Sequence, residues 1–105
     1  MKHKFHAVRC EADGISFSSK KERQYFQSLQ LLKKNGDILF FLMQVPFHLP
    51  GNVIYRLDFM EFWKPAIGQT VGEIIFTEVK GFMTPNAKIK IQQTEELYGI
   101  KINVI

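Results

Sequence analysis

The sequence predicts an α/β fold of a single domain, residues 1–105, in which helices pack on a central mixed β-sheet in the order hairpin, helix, three strands, helix, strand. Three observations predict it. "SSKKERQYFQSLQLLKKNG" places apolar residues at helical spacing between a capping serine and a stop glycine. "VIYRLDFMEFW" and "EIIFTEVK" are rich in β-branched and aromatic residues, as strands are. "TPNAKIKIQQTEELYG" opens and closes with helix signals ahead of the apolar "IKINVI".

Taken in order, Val8 to Cys10 and Ile15 to Phe17 flank "EADG", and Asp-Gly between short apolar stretches is a hairpin signal. With the residues before it, this hairpin makes an N-terminal basic arm over 1–18. In the first helix Ser19 is the N-cap, Tyr25, Phe26, Leu29 and Leu32 form the apolar stripe, Lys33 and Lys34 suit the last turn, and Gly36 ends it. Ile38 to Met43 and Val45 to Leu49 read as two extended pieces, with Pro46 and Pro50 limiting how central the second can be. Val53 to Trp63 is the next strand, "KPAIGQTVG" is a turn, and Glu73 to Lys80 returns as its antiparallel partner. Thr84 and Pro85 start the second helix, Gly99 stops it, and "IKINVI" is the last strand.

Composition excludes several classes. At 105 residues and 46% hydrophobic, the chain is long enough to bury one core. The single cysteine, Cys10, allows no intrachain disulfide, and His3, His6 and His48 show no metal-ligand spacing, so a reducing cytoplasm is expected. The apolar run Ile38 to Met43 is far short of the ~20 residues that cross a bilayer, and the N-terminus lacks the apolar segment of a signal peptide. Residues 1–35 carry eight basic against three acidic groups, whereas 36–105 carry six against seven. The basic half suits a polyanion, or is an ordinary solvated helix face.

Four polar residues do not fit a plain core. Alternation puts Ile74, Phe76, Glu78 and Lys80 on one face, with Ile74 and Phe76 anchoring the strand and Glu78 and Lys80 emerging at the sheet's end. Asp58 shares a face with Met60 and Phe62 on the neighbouring strand, so two carboxylates come close, and such a pair calls for a cation between them. Oxygen ligands without His or Cys point to Mg²⁺ or Mn²⁺. Glu22, one turn before Tyr25 and Phe26, adds a third carboxylate on the sheet-facing side of the helix. Each residue has a plainer role: Glu22 as the capping-box partner of Ser19, Glu78 and Lys80 as a surface pair, Asp58 as the point where its strand meets solvent.

As a set, Glu22 on an early helix, Asp58 in "YRLDF" and "EVK" at Glu78 to Lys80 resemble the PD-(D/E)XK nuclease superfamily, with its restriction-endonuclease-like core. "DGISFSSKKERQYF", "YRLDF", "EVKGF" and "LYGIKINVI" resemble a phage-borne branch of uncharacterised proteins related to Holliday-junction resolvases. Gln44 and Pro46 in "QVPF" are similar to a Gln-Pro element of transposon end-cleaving subunits, which makes Gln44 a site-supporting residue. Leu57 stands where the superfamily often has proline or alanine.

The resemblance implies a metal-dependent DNA endonuclease, a hydrolase of phosphodiester bonds acting on branched DNA or Holliday junctions. Asp58, Glu78 and the Val79 carbonyl would hold Mg²⁺ or Mn²⁺, Glu22 would complete the site, and Lys80 would orient the attacking water. Lys20, Lys21 and Arg23 would line the DNA path, and Lys88 and Lys90 would contact phosphates, unless they simply solvate a helical turn. The chain is short for such a nuclease, which implies a homodimer or another partner. The location implied is the cytoplasm of a bacterial host, with a phage or prophage as source. The alternative is a non-catalytic phage factor that binds DNA or a host protein on the same fold.

Overall fold

The computed structural model describes residues 9–105 and shows an α/β architecture of two helices, a two-stranded sheet and a mixed four-stranded sheet. The expectations placed on His3, His6, Val8 and the first eight residues of the basic arm lie outside the described residues. β1 (Cys10–Ala12) and β2 (Ile15–Phe17) form the hairpin. Its turn is Asp13 and Gly14, both at positive φ (51° and 76°), the backbone that a two-residue hairpin turn needs.

α1 (Lys20–Lys34) starts on Ser19, whose side chain accepts a hydrogen bond from the Glu22 N–H, and its last turn carries Lys33 and Lys34. β3 (Ile38–Leu49), β4 (Val53–Trp63) and β5 (Ile74–Glu78) follow as antiparallel neighbours. α2 (Pro85–Tyr98) is capped by Thr84 at one end and by Gly99, at φ 66°, at the other. β6 (Ile102–Val104) then pairs parallel to β5, so the order across the sheet is β3-β4-β5-β6. No helix among the described residues is long and apolar enough to cross a membrane.

β3 is one strand of 12 residues, not the two pieces its prolines imply. Pro46 is accommodated because β3 is an edge strand. The chain continues through Gln44 with a left-handed backbone, φ 52°. That residue marks a change of face. Phe41, Met43, Phe59 and Trp63 pack with Phe26 and Leu29 of α1, whereas Val45, Phe47, Tyr55 and Leu57, of the same parity, pack with Ile91 of α2. A uniform strand keeps alternate residues on one face. The β3–β4 hairpin therefore turns over between Met43 and Val45 and between Leu57 and Phe59, and the residues at the crossing are Gln44 and Asp58. The two helices thus cover two separate cores on one continuous sheet.

Two expectations about β5 change. Ile74 does not anchor the strand, being 45% exposed, while Phe76 packs toward α2 beside Met60. Glu78 does not emerge at the sheet's end: it is 2% exposed.

Candidate active site

Asp58 does not continue the face of Met60 expected from alternation, because β4 turns over at this residue. Its carboxylate reaches sideways to β5, where Oδ2 accepts the Val79 N–H at 2.9 Å. The side chain thereby continues the β4–β5 ladder where β5 ends. Oδ1 accepts the side-chain amide of Gln44 at 3.1 Å, and the Asp58 N–H points to Glu78 Oε1 at 3.4 Å. The crossing that puts Gln44 in a left-handed backbone thus aims its amide at Asp58.

Glu78 is buried because its oxygens have strong partners. The Tyr55 hydroxyl donates to Oε1 at 2.6 Å, and the Lys80 ammonium lies 3.2 Å from Oε2. Burial and the adjacent carboxylates push the Tyr55 hydroxyl well above its usual range, so it stays a donor. Lys80 is two residues from Glu78 on the same side, as alternation requires, and a third of its side chain meets solvent.

Glu22 is buried on the sheet-facing side of α1. Half of the capping box forms, since its N–H donates to Ser19 Oγ at 3.1 Å. The return contact is displaced by one residue: Oε1 accepts from the Ser18 hydroxyl at 2.9 Å and the Ser18 N–H at 3.2 Å. Oε2 lies 3.5 Å from the Gln44 amide nitrogen. Cap and site are therefore one arrangement. A cavity of about 390 Å³ opens beside it, lined among others by Arg9, Ser16, Ser18, Glu22, Gln44 and Asp58.

The three carboxylates form a row, Glu22 to Gln44 to Asp58 to Glu78, with Asp58 in the middle. Burial first, then Glu78, and more weakly Glu22 push Asp58 up to about 7, against the lowering effect of the Val79 and Gln44 hydrogen bonds. Among the described residues, no three His, Cys, Asp or Glu side chains are grouped on one point to hold a metal ion.

The basic residues divide. The Lys21 ammonium donates to the Lys80 carbonyl at 3.2 Å, and so stands at the site, with Lys20 exposed beside it. Arg23 is half-buried, with its Nε shielded and without a hydrogen bond. Lys88 and Lys90 are exposed on α2, and Lys88 shares a cavity with Lys101 and Val104 at the β6 edge. Residue reasoning missed Tyr55, Ser18 and Arg9. For Tyr55 a signal existed: it lies on the same β4 face as Leu57, buried three residues before Asp58.

No curated protein and no solved structure matches the chain. The family described as "Protein of unknown function (DUF1064)" matches over residues 2–103, and the chain belongs to that family.

Proposed function

We propose that this chain is a Mg²⁺- or Mn²⁺-dependent endodeoxyribonuclease of the PD-(D/E)XK kind, acting on branched DNA, with its sheet and helices as a restriction-endonuclease-like core. The observation that carries the reading is the row Glu22, Gln44, Asp58 and Glu78, from a helix and three strands, ending beside the Lys80 ammonium.

The residues fit a hard divalent ion in their chemistry. The donors are oxygen only, and the burial and carboxylate repulsion that raise Asp58 are what a divalent charge would offset. Asp58, Glu78 and the Val79 carbonyl would hold it, with Glu22 assisting from the far side of Gln44. When bound, such an ion supplies Lewis acidity toward the phosphate and a more acidic water. The chain's own groups do the positioning. Tyr55 fixes Glu78, Val79 N–H and Gln44 fix Asp58, and Lys80 with Lys21 brings positive charge to where phosphate oxygens accumulate negative charge.

The test is incubation of pure protein with supercoiled, linear and four-way-junction DNA in Mg²⁺, Mn²⁺ or EDTA. Cleavage that needs the ion, favours the junction and disappears in Glu78→Ala is the expected result. No cleavage of any substrate, or cleavage indifferent to Glu78→Ala, would sink the reading. A second reading, a non-catalytic factor binding DNA or a host protein, is favoured by one observation: both oxygens of each of the three carboxylates already lie against protein donors. It predicts that Asp58→Ala and Glu78→Ala leave DNA or partner binding intact.

A further inference from the structure

A second cavity, of about 660 Å³, lies on the α1 side of the sheet, lined by Tyr25, Trp63, Ile75, Thr77, Asn103 and Ile105 among others. Beneath it is Glu61, 1% exposed. The Tyr25 hydroxyl donates to Glu61 Oε2, and the Trp63 indole N–H donates to Oε1 at 3.0 Å. Thr77 Oγ1 lies 3.4 Å from the same tyrosine hydroxyl. The described ion pairs, Lys64–Asp37 and Lys80–Glu78, do not involve Glu61.

A buried carboxylate surrounded by neutral donors is a costly way to pack a sheet, and its gain is orientation. Here one carboxylate grips the polar edges of two aromatic rings, one from a helix and one from a strand, and both rings line the cavity. Lys101 also lines it, and lines the neighbouring cavity together with Lys88. Fixed aromatic rings flanked by ammonium groups along an edge are the pattern that takes stacked bases of a single strand.

Position supports the same ligand. Ile105, a lining residue, pairs through its backbone with the Glu78 carbonyl and the Lys80 N–H, both at 3.0 Å. Along β4, Glu61 is three residues from Asp58, about 10 Å at roughly 3.3 Å per residue. That span equals about three stacked nucleotides at roughly 3.4 Å each.

We infer that the Trp63 cavity is a subsite for an unpaired nucleobase, belonging to the DNA strand a few nucleotides from the phosphodiester held at Asp58 and Glu78. Glu61 is its positioning residue, and Trp63 and Tyr25 make the stacking contacts. The inference rests on the nuclease reading for the identity of the strand.

Trp63 is the only tryptophan, so its emission reports on the cavity directly. The experiment titrates the whole protein in EDTA with oligothymidylate, an abasic oligomer of equal length, and thymidine monophosphate. Saturable quenching by oligothymidylate, little by the abasic oligomer and weak binding of the mononucleotide are expected. By fluorescence anisotropy, Trp63→Phe lowers oligothymidylate affinity less than Trp63→Ala, which loses about tenfold. Equal affinity for abasic and base-bearing oligomers, or an unmoved Trp63 emission, overturns the subsite, as does a mononucleotide that binds as tightly as the oligomer. Because EDTA suppresses metal-dependent cleavage, the two readings fail separately. Ion-dependent cleavage with no quenching removes the subsite alone, whereas base-dependent quenching without cleavage in Mg²⁺ or Mn²⁺ keeps a base site and removes the nuclease.

Discussion

Glu78 and Glu61 are both buried, both bonded to a tyrosine hydroxyl, and reside on adjacent strands. Around Glu78 stand Lys80, Asp58 and, through Gln44, Glu22. Around Glu61 stand Trp63, Tyr25 and Thr77, all neutral. The same acid–phenol pair therefore serves two purposes. Among charges, the tyrosine fixes a carboxylate that can exchange partners; among neutral donors, the carboxylate fixes the rings.

The largest expected effect lies on the charged side. Glu78→Gln keeps the shape and one acceptor for Tyr55 but removes the charge, and ion-dependent cleavage falls about a hundred- to a thousandfold, the scale of losing one charge-stabilising group. Its melting temperature holds or rises, since Asp58 loses a like charge beside it. If cleavage persists, the contrast between the two acids collapses.

On the neutral side the change appears as stability. Glu61→Ala leaves the Tyr25 hydroxyl and the Trp63 N–H without their acceptor and opens a void, at a cost of about 3 kcal/mol in denaturant unfolding. A loss below about 1 kcal/mol would mean that Glu61 holds nothing in place.

The two tyrosines sharpen the comparison at smaller scale. Tyr55→Phe frees one oxygen of Glu78, and cleavage falls about 10- to 100-fold, as for groups that orient metal ligands. Tyr25→Phe is read in unfolding, where about 1 kcal/mol is lost. Matching losses of cleavage and stability in Tyr55→Phe would reduce its role to packing.

Asp58 makes the charged side sensitive to pH. Its carboxyl is raised from 3.8 to about 7, chiefly by burial and then by Glu78. A carboxyl raised on folding binds its proton more tightly in the folded state. The stability linked to it is full below about 4 and is lost as pH rises to about 7. Asp58→Asn flattens the dependence of unfolding free energy on pH across that window. An unchanged slope would put the titration elsewhere.

Much of this arrangement was legible in the residues. Caps at Ser19, Thr84 and Gly99 and the parity of "EVK" are local signals, and they were enough to bound both helices, to set Glu22 on the buried side of α1 and to put Lys80 beside Glu78. The turnover at Gln44 and Asp58 was not legible, because a strand that rolls over keeps its composition and changes only which helix each parity meets. That is why alternation alone places Asp58 on the face of Met60. Glu61 was missed for a related reason: its donors come from a helix 36 positions earlier in the chain and from a tryptophan whose parity reads as plain core.

The smallest effect tests the turnover itself. Gln44 holds a left-handed backbone, φ 52°, while its amide lies between Glu22 and Asp58. Gln44→Gly relieves roughly 1–2 kcal/mol of backbone strain and costs about 0.5–1 kcal/mol of chain entropy, so the backbone effects nearly cancel. What remains is the amide, which lowers the Asp58 value by donating to its carboxylate. Below about pH 5 Asp58 is protonated in either protein, and the glycine variant should match the parent or slightly exceed it. Above about 7 the ionised carboxylates face each other without the amide, and the variant should be less stable by about 1 kcal/mol. Unfolding curves at both ends of that range decide the matter. A difference that grows with pH makes Gln44 a screen between two carboxylates, whereas a difference independent of pH leaves it with only the backbone turn.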